Sequence, residues 1–174
     1  FSGKLVGPAC LDLPSEARTF INLTDQWALR WLENDGTGQQ FAAAYGISFP
    51  VEQLPTEECG PNDPRPELAI QFPATDGEEV TGVVDVWGFA NIANGEFDYF
   101  LLEYGLGTDP QGWRAFTDQI REGNSNANPR VLGQFDTTDI EPGEVTLRLI
   151  IFDRNGQSAE VRRIVRIATP PEEE

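Results

Sequence analysis

Side chains that commonly carry enzyme chemistry are sparse in this chain. There is no His, so neither a Ser-His-Asp nor a Cys-His nucleophile can be built from its residues. Lys4 is the sole lysine, and Ser2 does not have the three-residue spacing that would place both groups on one helical turn. Carboxylates are plentiful, but most are expected at turns, where they are solvated. The sequence therefore predicts no catalytic residue and a segment that is not itself an enzyme.

One acid departs from that pattern. Asp85 lies within a strongly apolar stretch, either as a structural acid with satisfied hydrogen bonds or on the outward face of a half-exposed strand. Calcium is the metal that suits an oxygen-rich, His-free chain, but no segment has EF-hand spacing. We therefore predict no metal ligands and no cofactor, and a calcium site in a loop stays open.

Two aromatic residues are the candidate ligand contacts, Tyr104 and Trp113. The glycine-bearing segment between them follows a predicted strand without opening a helix, which makes it a poor phosphate cradle. Trp113 is either an exposed platform for stacking on a sugar or a core residue that covers the edge of the fold.

The two cysteines, Cys10 and Cys59, have the spacing of neither a CxxC redox pair nor a zinc knuckle. A disulfide is the simplest pairing, and it would contribute about 4 kcal/mol through chain entropy. Such a bond would place the protein in an oxidising compartment. The alternative is two free buried thiols.

The elements that must position these side chains fall into distinct segments. Residues 1–60 are expected to be irregular and partly helical, residues 61–66 a proline-rich linker, and residues 169–174 a disordered tail. In the first segment, Thr24-Asp25 is expected to cap one short helix, and Thr37 with Gln40 to form a capping box for a second that Gly46 ends. Trp27 and Trp31 share a face of the first helix, which we expect to pack rather than to bind a ligand.

Residues 67–168 change to a period of two. Strands are predicted over residues 67–72, 80–89, 97–104, 130–135, 145–152 and 159–167, separated by turns rich in Gly, Pro and Asn. Asn155-Gly156 is the strongest hairpin signal. This spacing, with no helices of βαβ length, predicts a mainly β fold, an antiparallel sandwich of the immunoglobulin type. Arg163 shares a face with apolar Val161 and Val165, so it lies either near the rim or beside a bulge.

The charge of the chain excludes two classes of partner. Its 29 acidic and 12 basic residues give a net charge of −17, which repels phosphate backbones and anionic lipid. We therefore expect no nucleic-acid partner. No stretch reaches the ~20 apolar residues of a spanning helix, so this segment is not expected to insert in a membrane.

Three stretches together resemble an Ig-like or fibronectin-III-like module of bacterial surface proteins. They are residues 97–113, 131–137 and 142–149, which follow the pattern Y-x-L-E-Y-G-x-G…P…W…L-x-x-W-D-T…G-x-Y-T-L-R-L. Phe135 replaces the second Trp of the pattern, and Val145 replaces a Tyr. The resemblance implies an Ig-like fold and leaves the ligand open.

Residues 2–10, with Phe20 and Ile21 downstream, resemble the segment that follows the transpeptidase domain in class A penicillin-binding proteins. The transpeptidase signatures Ser-x-x-Lys, Ser-x-Asn and Lys-Thr-Gly are absent, so no catalytic residue is carried over. The resemblance implies a non-catalytic accessory module of a peptidoglycan-synthesis protein, acting as a scaffold or as a contact for peptidoglycan or cell-wall proteins. It would be extracytoplasmic and tethered through a membrane anchor outside this segment. The alternatives are a generic surface or secreted module for carbohydrate binding or adhesion, and a small hydrolase built on acidic residues.

Overall fold

The computed structural model describes residues 3–13, 17, 23–49, 51 and 54–168. These residues form two compact units, Gly3–Pro61 and a second that begins at Asn62. The predicted tail at 169–174, and the motif residues Ser2, Phe20 and Ile21, lie outside the described residues. No helix in the described part of the chain is long and apolar enough to span a membrane.

The first unit contains a short 3-10 helix and two α-helices. The 3-10 helix is Pro8–Cys10, α1 is Gln26–Asn34 and α2 is Gly36–Ala44. A disulfide joins Cys10 to Cys59, as predicted, with their Cα atoms 6.1 Å apart.

The helix caps are partly as expected. Asp25 caps α1 by accepting hydrogen bonds from two backbone amides, at 2.8 and 3.2 Å. The capping box predicted at Thr37 and Gln40 is wrong, because Asp35 caps α2 and Thr37 already lies within the first turn. The Asp35 carboxylate accepts a hydrogen bond from the Thr37 amide at 2.9 Å. Thr37 is therefore the residue whose amide is capped, and it is not itself the cap. Gly46, with φ +68°, follows the end of α2.

The two helices pack through small and aliphatic residues rather than through both tryptophans. Leu29 and Leu32 of α1 are buried, and Gly38 of α2 lies so close to the Trp31 carbonyl that a Cβ there would overlap it. The Trp31 ring lies 5.9 Å from the Phe41 ring, but Trp27 is 72% exposed. The expectation that Trp27 packs is therefore wrong, because Leu29 and Leu32 occupy the buried side of the helix.

The second unit is a sandwich of two sheets. Its strands are β1 (Arg65–Phe72), β2 (Glu78–Val80), β3 (Val83–Ala93), β4 (Phe97–Leu106), β5 (Arg114–Ala115), β6 (Arg130–Asp136), β7 (Gly143–Asp153) and β8 (Ser158–Ile167). One sheet has the order β1-β3-β6 and the other the order β2-β8-β7-β4-β5. All neighbours are antiparallel except β2 and β8, which are parallel.

The core lies between the sheets and is built by alternate residues of the long strands. The largest fully buried side chains include Phe100, Leu102, Phe135, Leu147, Leu149 and Ile151. Each fully buried side chain of this size contributes about 1.5–3 kcal/mol relative to an exposed one. Period-two alternation therefore predicted the core correctly.

Several strand boundaries differ from expectation, and the short strand β5 was not predicted. The single strand predicted over residues 80–89 is two strands, because Gly82 has φ +68° and turns the chain from one sheet to the other. Arg65 and Pro66, expected in the linker, belong to β1. A proline is tolerated there because β1 is an edge strand, where a backbone amide need not join the ladder.

Arg163 lies at the rim of the sandwich. The β7–β8 register is continuous from Gly143 to Phe152, so no bulge displaces Arg163. Its guanidinium donates to the Ile70 carbonyl and to Asp76, each at 3.3 Å, and 22% of the side chain is exposed. The arginine thus links β8 of one sheet to β1 of the other.

Candidate ligand-contact site

Trp113 closes the loop between β4 and β5. At the start of the loop, Gly107 donates its amide to the Glu144 carbonyl at 2.8 Å, and its carbonyl accepts the Thr146 hydroxyl at 2.7 Å. Gly105 lies against Pro110 so closely that a Cβ would overlap the proline ring. These contacts hold the loop against β4 and β7 and fix the position of the indole.

Two guanidinium groups lie against the Trp113 ring. The Cζ of Arg148 is 4.1 Å from the ring centroid and that of Arg162 is 5.0 Å. Arg148 of β7 and Arg162 of β8 are register partners, so both project from the outward face of the five-stranded sheet. Cation–π attraction of this kind is strongest for Trp, and it holds the indole over the sheet.

Two glutamates complete the cluster. Arg148 Nε donates to Glu103 at 2.8 Å, and its Nη1 donates to Glu160 at 3.1 Å. Arg162 Nε donates to the other oxygen of Glu160 at 2.8 Å. The charges of the two arginines and two glutamates balance, so the cluster presents an aromatic surface without net charge. We call Glu103, Trp113, Arg148, Glu160 and Arg162 the tryptophan–arginine cluster.

An open groove of about 310 Å³ lies beside this cluster. It is lined by Tyr104, Gly105, Leu106, Gln111, Gly112, Trp113 and Arg114. Both residues predicted as ligand contacts therefore border one groove. Leu106, at the side of the groove, is 65% exposed. The lining therefore combines apolar residues, Leu106 and Trp113, with polar ones, Gln111 and Arg114.

Tyr104 and Trp113 play different parts in this groove. The Tyr104 ring packs against the rings of Phe135, at 5.3 Å, and Phe116, at 6.4 Å, so it belongs largely to the core. Trp113 is partly exposed and held by its arginines. Of the two, Trp113 is the side chain able to stack on a ligand.

The acids are distributed as structural or solvated groups. Asp85 lies on the outward face of β3, is exposed, and accepts a hydrogen bond from Gln134 at 2.9 Å. Hydrogen bonds from the Thr37 and Gly38 amides lower the pKa of Asp35, and one from the Thr138 amide lowers that of Asp136. Neither group lies at the groove. Among the described residues, no group of three or more Cys, Asp or Glu is placed to hold a metal ion.

Sequence reasoning found the aromatic residue of the cluster but missed its charged members. Arg148 and Glu103 lie within strands that were predicted from the sequence, and in the structure both face outward. An outward Arg and an outward Glu in neighbouring strands can form a cross-strand pair. The missing information was the register, which decides that Glu103 is opposite Arg148.

Comparison with known proteins assigns no family to this chain. No family model matches the chain, and no curated protein matches it. Among solved structures, an endo-beta-1,4-mannanase from Thermotoga petrophila is 15% identical, with a TM-score of 0.41, over 60% of this chain and 20% of that one. CopC from Methylosinus trichosporium OB3b is 9% identical, with a TM-score of 0.37, over 63% of this chain and 100% of that one. An engineered protein is 15% identical, with a TM-score of 0.37, over 79% of this chain and 28% of that one.

Proposed function

We propose that this chain is a non-catalytic, extracytoplasmic accessory module of a peptidoglycan-synthesis protein of the class A penicillin-binding type, which contacts glycan strands through the Trp113 groove. The observation that carries the proposal is that Trp113, partly exposed and held against two arginines, borders an open groove. The indole is positioned by residues of the recognised pattern, because Glu103 and Trp113 of its first stretch and Arg148 of its third form one contacting group.

Other residues of the pattern support the same interpretation. Phe135, which replaces its second Trp, packs against Tyr104. Thr146 donates to Gly107, and the hydroxyl of Thr137 donates to the Gly82 carbonyl at 3.0 Å. Because these contacts join the loop and both sheets, the pattern describes how a module of this kind is assembled. It therefore favours common architecture with the modules that the sequence resembles.

The strand order favours the Ig-like form of the sandwich. If β2 is taken as a continuation of the first strand, the sheets are A-B-E and G-F-C-C′. Ig-type sandwiches divide their strands in this way, with strand D present in some members beside E. The disulfide between Cys10 and Cys59 favours an oxidising location outside the cytoplasm, because such bonds are rare in reducing compartments.

The groove supplies the means of contact with a glycan. An indole held by two arginines loses little conformational freedom when a sugar ring stacks on it. The amide of Gln111 and the guanidinium of Arg114 offer hydrogen bonds to hydroxyl or N-acetyl groups beside the ring. Open, partly aromatic grooves with a few polar groups suit chain-like ligands that enter from solvent.

The test is co-sedimentation of the purified chain with insoluble peptidoglycan. The wild-type chain is expected to pellet with the polymer in a saturable manner, and Trp113→Ala is expected to weaken retention at least about fivefold, from the loss of a stacking contact worth roughly 1–2 kcal/mol. Trp27→Ala is the matched control, since it removes a tryptophan that is 72% exposed in the other unit. Circular dichroism confirms that each variant is folded.

Three outcomes decide the proposal. Saturable retention that depends on Trp113 supports it. Absence of retention by peptidoglycan contradicts it. Equal Trp113-dependent binding to unrelated soluble glycans on an array favours the alternative, a generic surface or secreted module for carbohydrate binding or adhesion.

A further inference from the structure

The outward face of the three-stranded sheet exposes apolar side chains that a solvated face does not normally carry. Val83 is 59% exposed, Trp87 44%, Phe72 41% and Val131 37%. Trp87 is the register partner of Phe72 on one side and of Val131 on the other, so the three form a row across the sheet. A contiguous exposed apolar surface of this kind marks an interaction site.

Carboxylates border this row. Asp85 is two residues before Trp87 on the same face of β3, and its hydrogen bond with Gln134 fixes that orientation. Asp136 is the register partner of Val83. The Thr138 amide lowers the pKa of Asp136, so this carboxylate stays charged into mildly acidic solution. With a net charge of −17 on the chain, the surface is complementary to a cationic partner.

The row ends at an open strand edge. β6 (Arg130–Asp136) is the last strand of its sheet, and within residues 62–168 no strand pairs with its other side. It contains no Pro, whereas the opposite edge strand β1 contains Pro66, and its charged side chains, Arg130 and Asp136, lie only at its two ends. The uncharged residues between them leave an edge that accepts an added strand through its backbone groups.

We propose that the β6 edge and the adjoining outward face bind an extended, basic peptide segment of a partner protein as a fourth strand. The period of two places alternate side chains of that segment over the outward face. There, the aliphatic stems of Lys or Arg lie along Val131 and Trp87, and their charged ends reach Asp85 and Asp136. The surface belongs to the sheet opposite the Trp113 groove and goes beyond the glycan contact.

The test uses a fluorescein-labelled peptide of alternating Val and Lys that matches the seven residues of β6. Three other peptides are compared with it in fluorescence anisotropy with the full chain. One replaces each Lys with Glu, and the other two carry N-methyl groups on alternate backbone amides, one in each of the two registers. The Lys peptide is expected to bind saturably. The Glu peptide should bind at least about tenfold more weakly. At least one of the two N-methylated peptides should also bind about tenfold more weakly.

Chain variants locate the contact. Trp87→Ala is expected to lower the affinity for the Lys peptide at least about fivefold, and Asp85→Asn to lower it about two- to threefold at low salt. Trp27→Ala, at an exposed tryptophan of the first unit, and Asp109→Asn, at an exposed carboxylate of the loop between β4 and β5, are matched controls expected to have no effect. Trp113→Ala separates this proposal from the glycan contact, since it is expected to reduce peptidoglycan retention without changing peptide affinity.

Three results would contradict the proposal that the β6 edge binds a basic peptide. The proposal fails if the Lys peptide does not bind, if Trp87→Ala leaves its affinity unchanged, or if both N-methyl registers bind as well as the parent peptide. Any of these results leaves the glycan proposal intact, because that proposal depends on the peptidoglycan assay and Trp113. Loss of both binding activities in Trp113→Ala alone would contradict the separation of the two surfaces.

Discussion

Replacing Arg148 with Met should strongly destabilise the sandwich, because this arginine has three partners on a largely covered part of the sheet. Its guanidinium pairs with Glu103 and Glu160 and lies 4.1 Å from the Trp113 ring. The side chains of Arg148 and Glu103 are 16% and 15% exposed. Met keeps most of the aliphatic volume but removes the charge, which leaves Glu103 covered and without its cation.

The magnitude follows from these exposures. Removing one partner of a buried pair costs about 3–5 kcal/mol, and partial solvation of this pair reduces that to about 2–3 kcal/mol. Loss of the stacking contact with Trp113 adds about 0.5–1 kcal/mol. We therefore expect the free energy of unfolding to fall by about 3 kcal/mol, which corresponds to a drop on the order of 15 °C in Tm for a domain of this size.

The assay is urea denaturation followed by tryptophan fluorescence and far-ultraviolet circular dichroism. Arg162→Met is the matched control, since Arg162 is 46% exposed, has one ion pair where Arg148 has two, and lies farther from the Trp113 ring, at 5.0 Å, and we expect it to cost less than about 1 kcal/mol. Arg148→Lys should recover part of the loss, because it restores the charge without the planar fork. Equal effects of Arg148→Met and Arg162→Met would refute the reasoning.

Three further predictions concern other parts of the chain. Reducing the Cys10–Cys59 disulfide should lower the stability of the smaller unit by about 4 kcal/mol, from a sequence separation of 49; an unchanged calorimetric profile in reductant would contradict this. Asn124→Asp should cost about 2–3 kcal/mol in urea denaturation, because the buried amide donates to two carbonyls at 3.0 and 3.1 Å and a carboxylate cannot; an equal loss in the exposed control Asn126→Asp would count against it. The pKa of Asp35 is lowered in the folded state, because its carboxylate caps α2. The cap therefore stabilises the helix at pH values above the unfolded pKa of about 3.9, and this stabilisation is lost as the pH falls through the lower folded pKa. Over this acidic pH range, the helical circular dichroism signal should decline more in the wild type than in Asp35→Asn. Identical acid profiles would show that protonation of Asp35 does not destabilise α2.

The architecture was predictable because alternation is a local property. Each long strand carries its own inward set, as Leu147, Leu149 and Ile151 do in β7, so six strand-forming stretches and a mainly β fold could be inferred without their neighbours. The short strands β2 and β5 were missed, because three and two residues are too few to show a period. The break at Gly82 was missed because Val80 and Val84 continue the alternation across it, although they belong to different sheets. A positive φ leaves no trace in a pattern of apolar residues.

The candidate site was predictable only in part, because it depends on register. Tryptophan and tyrosine stand out by type, so Trp113 and Tyr104 could be selected directly. Their surroundings could not, since Arg148 and Arg162 reach the indole from strands that follow much later in the chain. Alternation shows that Arg148 faces outward, but only the pairing of β4 with β7 shows which carboxylate it meets.

The tryptophan–arginine cluster also bears on how a recurring sequence pattern should be interpreted. Glu103, Trp113 and Arg148 bind one another, so selection for a stable module is sufficient to explain why these residue types occur together. Their joint presence therefore carries information about fold and little about ligand. The choice of ligand must instead depend on groove residues that are not members of the cluster, above all Leu106, Gln111 and Arg114. Modules that share the pattern but differ at these positions should share the sandwich and bind different partners.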